Sequence, residues 1–176
     1  FGALASVSIC AGGTMGLPLL LSDYREKQIL KRFEVTPASP VMILLAEVSM
    51  YFLYALFSLV SLFLTVNVFY KFEFRGNPFV FLAGWFIVII SMFSIGIMVG
   101  GIAKNSKSAG IVASLIYFPM LIFSGATLPY EVMPLPMQKI IDVLPLTQGI
   151  KILKSTTLGL PTEEILVPVI AMVAIA

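Results

Sequence analysis

No charged side chain interrupts residues 76–103, GNPFVFLAGWFIVIISMFSIGIMVGGIA. A helix needs about 20 apolar residues to cross the hydrocarbon core of a bilayer, so this stretch is long enough to cross it once. Uncharged runs at 1–22, 48–70 and 108–130 reach a similar length, and a fifth run opens at Ile165. One such run fits a soluble core, but four in succession predict an all-α, polytopic transmembrane helix bundle.

The composition supports a membrane protein. Apolar residues make up 59% of the chain and charged residues 11%, whereas a soluble domain has roughly 25% charged residues. The mean hydropathy is +1.04. Both ends lie inside apolar stretches, so we expect residues 1–176 to be a fragment of a single transmembrane domain. Its membrane segments are predicted at about 1–22, 41–69, 79–103, 108–128 and 164–176.

Basic residues suggest which connectors face the cytoplasm. Cytoplasmic loops are enriched in Lys and Arg close to the membrane. Six basic residues are concentrated in the connectors 23–40 and 104–107, whereas the five on the other side are more widely spread. We therefore expect 23–40 and 104–107 to be cytoplasmic. The chain shows no basic patch of the kind that binds nucleic acid.

The basic connector has the pattern of a short amphipathic helix. Ser22 or Asp23 is expected to cap its start, with Glu26 completing a capping box. An apolar stripe of Ile29, Leu30 and Phe33 follows, before Pro37 ends the helix. The pattern alone leaves two interpretations open, a helix lying at the membrane surface without a partner and a helix that docks on one.

The long connector 129–163 is rich in both proline and apolar residues. Its prolines leave two short helical stretches, near Met137–Leu144 and Thr147–Thr156. A pair of half-helices that re-enters the membrane fits this pattern, because non-helical backbone at membrane depth must be satisfied by protein or water. A pair lying on the surface fits it equally.

Little in the sequence suggests catalysis. The chain has no His and a single Cys, Cys10, and it lacks G-x-x-x-x-G-K-[ST] and G-x-S-x-G. We therefore expect neither an enzyme nor a bound metal or cofactor. Glu47 is the acid inside a predicted segment, and it is interpreted as a functional intramembrane acid or as an interfacial side chain.

Two motifs resemble a known family. Residues 25–37, REKQILKRFEVTP, are similar to the cytoplasmic stretch of ABC-2 type permeases, although Lys27-Gln28-Ile29 replaces the family's usual Gly-Thr. Residues 118–134, FPMLIFSGATLPYEVMP, continue through Leu144–Thr147 to Leu158-Gly159 and resemble the family's fifth transmembrane helix and the extracellular re-entrant region after it.

The resemblance implies a six-helix permease of a bacterial or archaeal plasma membrane, present here from its second helix to the start of its sixth. Two permeases would pair with two cytoplasmic ATPase subunits, which bind ATP and Mg. The family's coupling helix would lie at 23–36 and contact the ATPase through Arg25, Glu26, Ile29, Leu30, Arg32, Phe33, Thr36 and Pro37. The re-entrant outer gate would comprise Pro119, Ser124, Gly125, Pro129, Glu131, Pro134, Pro145, Leu146 and Thr147.

The implied activity is export of a hydrophobic or amphipathic substrate, such as a drug, an antibiotic peptide or a lipid-like molecule. A permease for polysaccharides or lipid-linked glycans is the alternative within the same superfamily, and the single Trp, Trp85, disfavours it because sugar paths are lined with aromatic residues. A membrane scaffold or sensor that transports nothing is the alternative from another class.

Overall fold

The structure is a computed structural model that describes residues 1–29, 39–70, 74, 76–127, 138, 141–159 and 163–176. This part of the chain is helical and contains no strand, which confirms the predicted fold class. Its helices are α1 (Gly2–Glu26), α2 (Pro40–Tyr70), α3 (Pro78–Ile102), α4 (Ser106–Phe123), α5 (Pro145–Leu158) and α6 (Glu163–Ile175).

Four helices, α1 to α4, are long and apolar enough to cross a membrane. With 25 residues each, α1 and α3 extend about 37 Å, which exceeds the hydrocarbon thickness of about 30 Å. The predicted segment 108–128 ends earlier than expected, because α4 stops at Phe123 and a bend follows at Ser124–Thr127.

The first helix corrects the predicted start of the amphipathic helix. α1 continues through Ser22 and Asp23 to Glu26, so neither residue caps a new helix. The Ser22 hydroxyl instead donates to the carbonyl of Pro18 at 2.7 Å. A serine that follows an intact helical turn finds this acceptor four residues back, so it does not need to cap the next turn. Residues 23–26 of the predicted coupling helix therefore form the last turn of α1, a candidate membrane span.

Glycines allow α1 and α3 to pack in close contact. A π-helical turn, Ala11–Gly16, interrupts α1 at the point of closest approach. A Cβ added to Gly96 would lie 1.9 Å from the Gly13 carbonyl oxygen, a distance that no side chain tolerates. The Gly96-x-x-x-Gly100 motif thus serves packing within this chain, as small residues do between membrane helices.

α2 packs against a groove that two glycines form on the surface of α1. The Tyr51 ring lies across Gly12 and Gly16, and a Cβ on Gly16 would be 2.5 Å from its Cε1 atom. The Ser91 hydroxyl of α3 donates to the Met172 carbonyl at 2.7 Å and holds α6 against α3. α3 is therefore the central helix, with Trp85, Val88 and Met92 buried.

α5 packs antiparallel to the first half of α3. Added Cβ atoms would lie 3.2 Å from Val88 at Gly149, 2.7 Å from Ile152 at Gly84 and 1.8 Å from the Thr156 carbonyl oxygen at Gly76. Val88 lies ten residues after Pro78, about 15 Å along α3. The first turn of α5 therefore lies well inside the bundle, and its last turn lies near the start of α3.

Candidate functional site

Arg25 joins the last turn of α1 to the last turn of α3. Its Nη1 atom donates to the carbonyl oxygens of Gly100 at 3.4 Å, Ala103 at 3.5 Å and Gly101. Carbonyls at the end of a helix have no partner within that helix, and the helix dipole favours a cation there. Arg25 therefore caps α3 from a neighbouring helix.

Glu26 makes the complementary contact with α4. Its Oε2 atom accepts a hydrogen bond from the Ser106 backbone N–H at 2.9 Å, and Asp23 Oδ1 accepts one from the Ser106 hydroxyl at 3.4 Å. A carboxylate is favoured at a helix N-terminus, where the first N–H groups lack partners. We call Asp23, Arg25 and Glu26, with the turn 100–106 that they hold, the Arg25–Glu26 clasp.

A buried acid lies beside the clasp. Glu47 is only 7% exposed, and its Oε1 atom accepts a hydrogen bond from the Tyr24 hydroxyl at 2.6 Å. Its Oε2 atom is buried without a hydrogen bond within the described part of the chain. Both residues line a cavity of about 410 Å³ with Ile29 and Met42. The structure thus places Glu47 inside the protein, and its functional role stays a prediction.

A larger cavity, of about 570 Å³, lies at the other end of the bundle. It is bounded by the first turn of α1, the bend after α4 and one face of α5. Ser124 is buried and its hydroxyl donates to the Leu121 carbonyl at 3.1 Å, while Gly125 has a φ of 80°, a value that favours glycine. We call this space the α5 cavity; its α5 face carries Thr147, Ile150, Lys151, Lys154, Thr157 and Leu158.

The predicted gate residues separate into three groups. Ser124, Gly125 and Thr147 line the α5 cavity, whereas Leu146 is fully buried and Pro119 lies inside α4. Pro145 occupies the first turn of α5, where proline's missing N–H costs nothing. The remaining gate residues, Pro129, Glu131 and Pro134, lie outside the described residues.

Three of the predicted coupling residues lie in the described part of the chain. Arg25 and Glu26 contact the turn between α3 and α4, and Ile29 lines the cavity beside Glu47. Outside the described residues lie Leu30, Arg32, Phe33, Thr36 and Pro37.

The sequence analysis missed several residues of both sites. It treated 104–107 only as a short basic loop, although Asn105 and Ser108 form a reciprocal capping box that starts α4. Asn followed three residues later by Ser is a readable start signal for a helix. Asp142 and Lys151, which form a 2.7 Å ion pair beside the α5 cavity, had no such signal, because nine residues separate them.

Comparison with known proteins identifies the family. The family model for the ABC-2 type transporter matches residues 1–158. The chain belongs to this family. The inner membrane transport permease YhhJ of Escherichia coli (strain K12) is 29% identical to it over 129 residues, which cover 73% of this chain and 34% of that permease. The permease of the same name from Shigella flexneri has the same identity and coverage.

A further relative is nodulation protein J of Rhizobium leguminosarum bv. viciae, which is 32% identical over 72 residues, 41% of this chain and 28% of that protein. No solved structure matches the chain. The chain thus spans about a third of the length of the curated relatives that it matches. The chain is thus a segment of the ABC-2 family's membrane region with four candidate membrane spans.

Proposed function

We propose that this chain forms the membrane-spanning part of an exporter permease, which moves a hydrophobic or amphipathic substrate outward. ATP and Mg bind to a partner ATPase, and a second permease copy or a paralogue completes the transporter. The Arg25–Glu26 clasp carries this proposal, because it connects the segment that follows α1 to two other membrane helices.

The clasp supports a transmission role for Arg25 and Glu26. Both side chains point back to the turn 100–106 of their own chain. A displacement of the chain after Ile29 therefore reaches α3 through Arg25 and α4 through Glu26. Charge-assisted hydrogen bonds are strong enough to move such elements together. ATP binding then biases two membrane conformations through its different affinity for each.

We further propose that α5 is a re-entrant helix that belongs to the outer gate. Gly149, at the start of its second turn, lies beside Val88, about 15 Å along α3, which disfavours a helix on the membrane surface. Most of the uncharged polar side chains of α5 are buried in protein, as polar groups at membrane depth must be. On this proposal, Ser124, Gly125 and Thr147 line the outer opening and the Arg25–Glu26 clasp lies at the cytoplasmic end.

The test reconstitutes the full-length permease and its ATPase in proteoliposomes and measures ATP hydrolysis and co-purification together. We expect Glu26→Gln to reduce permease-stimulated hydrolysis roughly threefold while the ATPase still co-purifies, because an amide oxygen accepts a weaker hydrogen bond from the Ser106 N–H than a carboxylate does. Lys27→Gln is the control, since Lys27 is exposed and pairs with Asp23 at the same end.

Two results would contradict the proposal. If the intact permease neither binds nor stimulates any ABC ATPase, the scaffold or sensor interpretation replaces it. If Lys27→Gln reduces stimulation as much as Glu26→Gln, general surface charge accounts for coupling and the clasp does not.

A further inference from the structure

We infer that a cavity between α1, α2 and α3 binds an uncharged aromatic ring of the exported substrate. The inference rests on the proposed function and deepens it, because it names the part of a hydrophobic or amphipathic molecule that this chain recognises. The two can fail separately, since binding is measurable without an ATPase. The inference depends on a glycine that keeps the cavity open, on the aromatic and hydroxyl groups that line it and on its depth.

The cavity has a volume of about 230 Å³, and we call it the α1–α2 cavity. A cavity of about 150 Å³ lined by apolar side chains holds a benzene molecule, so this space is large enough for an aromatic ring system. Sites for whole drug-sized molecules begin at roughly 300 Å³, so the cavity holds one part of such a molecule. Its lining includes Gly12 of α1, Phe93 of α3 and a face of α2 with Tyr51, Tyr54, Ala55 and Ser58.

Gly12 keeps the α1–α2 cavity open. It belongs to the π-helical turn Ala11–Gly16, a type of turn that is frequent at functional sites. A Cβ added to Gly16, at the end of this turn, would lie 2.5 Å from Tyr51 Cε1, so the packing of α2 requires that glycine. A Cβ added to Gly12 would lie 3.5 Å from Tyr51 Cδ1, which is an ordinary contact. Packing therefore does not require a glycine at position 12, and the space beside it belongs to the cavity.

Three aromatic rings border the α1–α2 cavity. The rings of Tyr51 and Tyr54 lie edge to face with their centroids 6.0 Å apart, and Phe93 is buried. Aromatic rings attract a further ring in an offset or edge-to-face arrangement, beyond the gain from burial alone. The lining therefore favours an aromatic ring over an alkyl chain.

Two hydroxyl groups on one face of α2 offer polar contacts to a ligand. Tyr54 and Ser58 have the spacing i, i+4, which makes them neighbours on the helix surface. Ser49 on the same helix donates to the Leu45 carbonyl at 2.7 Å, whereas neither Tyr54 nor Ser58 makes a hydrogen bond within the described part of the chain. Each hydroxyl can therefore donate to a polar group on a bound ring or accept from it.

The α1–α2 cavity is level with the middle of two candidate membrane spans. Ala55 is the central residue of α2, and Phe93 lies three residues after Ile90, the centre of α3, which is about 4.5 Å along the axis. None of the described residues that line the cavity is charged. A charged group at the centre of a membrane is costly unless it is paired, so the cavity favours a neutral ligand.

The binding experiment uses the full-length permease in phosphatidylcholine nanodiscs, without an ATPase. The probe is β-naphthol, a neutral bicyclic ring with one hydroxyl, whose fluorescence is followed during titration. Protein-free nanodiscs measure its partition into lipid. Competitors are decanol, which has a hydroxyl on an alkyl chain, and naphthalenesulfonate, which has the ring and a charge. We expect saturable binding of β-naphthol, weak competition by decanol and no competition by naphthalenesulfonate.

The variants test the named lining. We expect Gly12→Leu to raise the Kd at least roughly tenfold and Gly12→Ala roughly threefold, because the added side chain occupies the space of the ligand. Ser58→Ala should raise it roughly threefold, as the loss of a neutral hydrogen bond predicts. Matched controls are Ala83→Leu on α3 and Ser49→Ala on α2, both exposed and outside the lining. Melting temperatures verify folding, and Gly12→Ala tests the cavity even if Gly12→Leu does not fold.

Three binding results would overturn the inference. An unchanged Kd in folded Gly12→Ala and Ser58→Ala removes the assigned lining. Weakening by Ala83→Leu or Ser49→Ala as large as that of the lining variants places the bound probe elsewhere. Decanol that binds as tightly as β-naphthol identifies the cavity as a site for lipid chains and not for an aromatic ring.

ATP hydrolysis separates this inference from the proposed function. In proteoliposomes with the ATPase, β-naphthol should raise hydrolysis, because a ligand that prefers one of two conformations shifts their populations. Gly12→Leu should abolish that increase. A permease that stimulates its ATPase but binds no β-naphthol overturns this inference alone. Binding of β-naphthol to a permease that stimulates no ATPase supports the ring site and overturns export.

Discussion

α2 and α5 are opposites in composition and in burial. α2 is a long apolar helix, yet only 11% of its most apolar window is buried, against 50% for α3. α5 is short and carries Thr147, Gln148, Ser155, Thr156 and Thr157, all of them buried. In a soluble protein, the more apolar helix would be the more buried one. Here the apolar helix is the exposed one and the described protein encloses the polar one, as expected where lipid takes the place of water.

The physical reason is that lipid tails are as apolar as leucine. Packing α2 against protein yields no hydrophobic gain over packing it against lipid, so its position depends on van der Waals fit and polar contacts. Polar side chains of α5 would be costly in lipid. Some of these side chains donate a hydrogen bond to a backbone carbonyl of their own helix, as the Thr156 hydroxyl does to the Ile152 carbonyl at 2.8 Å. Gly149 then lets α5 approach α3 closely.

The largest effect is expected at the contact between α5 and α3. Gly84→Leu should destabilise the full-length permease by more than about 3 kcal/mol, because even a Cβ at Gly84 would lie 2.7 Å from Ile152 Cγ2. The measurement is the melting temperature in detergent. Ala83→Leu is the control, since Ala83 is exposed on the neighbouring face and a larger apolar group is tolerated there. An unchanged melting temperature in Gly84→Leu would refute the close packing of α5.

The next effect tests whether α2 faces lipid. Phe57 is 74% exposed and lies near the middle of α2. Phe57→Arg should disfavour membrane insertion by about 2.5–3.5 kcal/mol, the cost of a charge at the centre of a membrane helix. The yield of membrane-inserted protein measures this, with Phe57→Leu as the control. Normal insertion of the Arg variant would mean that α2 borders water or a polar partner at this depth.

A smaller effect is expected where α2 meets α1. Tyr24→Phe should destabilise the protein by about 1.5–3 kcal/mol, because Glu47 loses the hydrogen bond that the Tyr24 hydroxyl donates at 2.6 Å. Tyr54→Phe is the matched control, since Tyr54 is 61% exposed. Equal melting temperatures for both variants would show that the Tyr24–Glu47 contact does not attach α2 to α1.

The smallest effect concerns the ion pair at the start of α5. Asp142→Asn should change stability by less than about 1 kcal/mol, because both side chains of the pair with Lys151 are more than a third exposed. The difference from the parent protein should shrink further at high salt. A loss several times larger would place the pair in a dry environment, which disagrees with its exposure.

Local sequence signals predicted some features well and others poorly. Uncharged runs and turn residues indicated where the helices lie, because hydropathy and proline act over a few neighbouring residues. The same reasoning placed a helix start at Ser22 or Asp23, where α1 continues to Glu26. Local capping preference could not reveal that Asp23 and Glu26 would instead serve the start of α4, about 80 residues further along the chain.

The sequence by itself determined the membrane class, the helical segments and the resemblance to ABC-2 type permeases, which the family match confirmed. Only the tertiary structure decided that Arg25 caps α3, that Glu47 pairs with Tyr24 and that Thr147 and Lys154 share a cavity. The reason is physical. Segment hydropathy is a sum over neighbouring residues, whereas these contacts join helices whose packing depends on glycine grooves distributed along the whole chain.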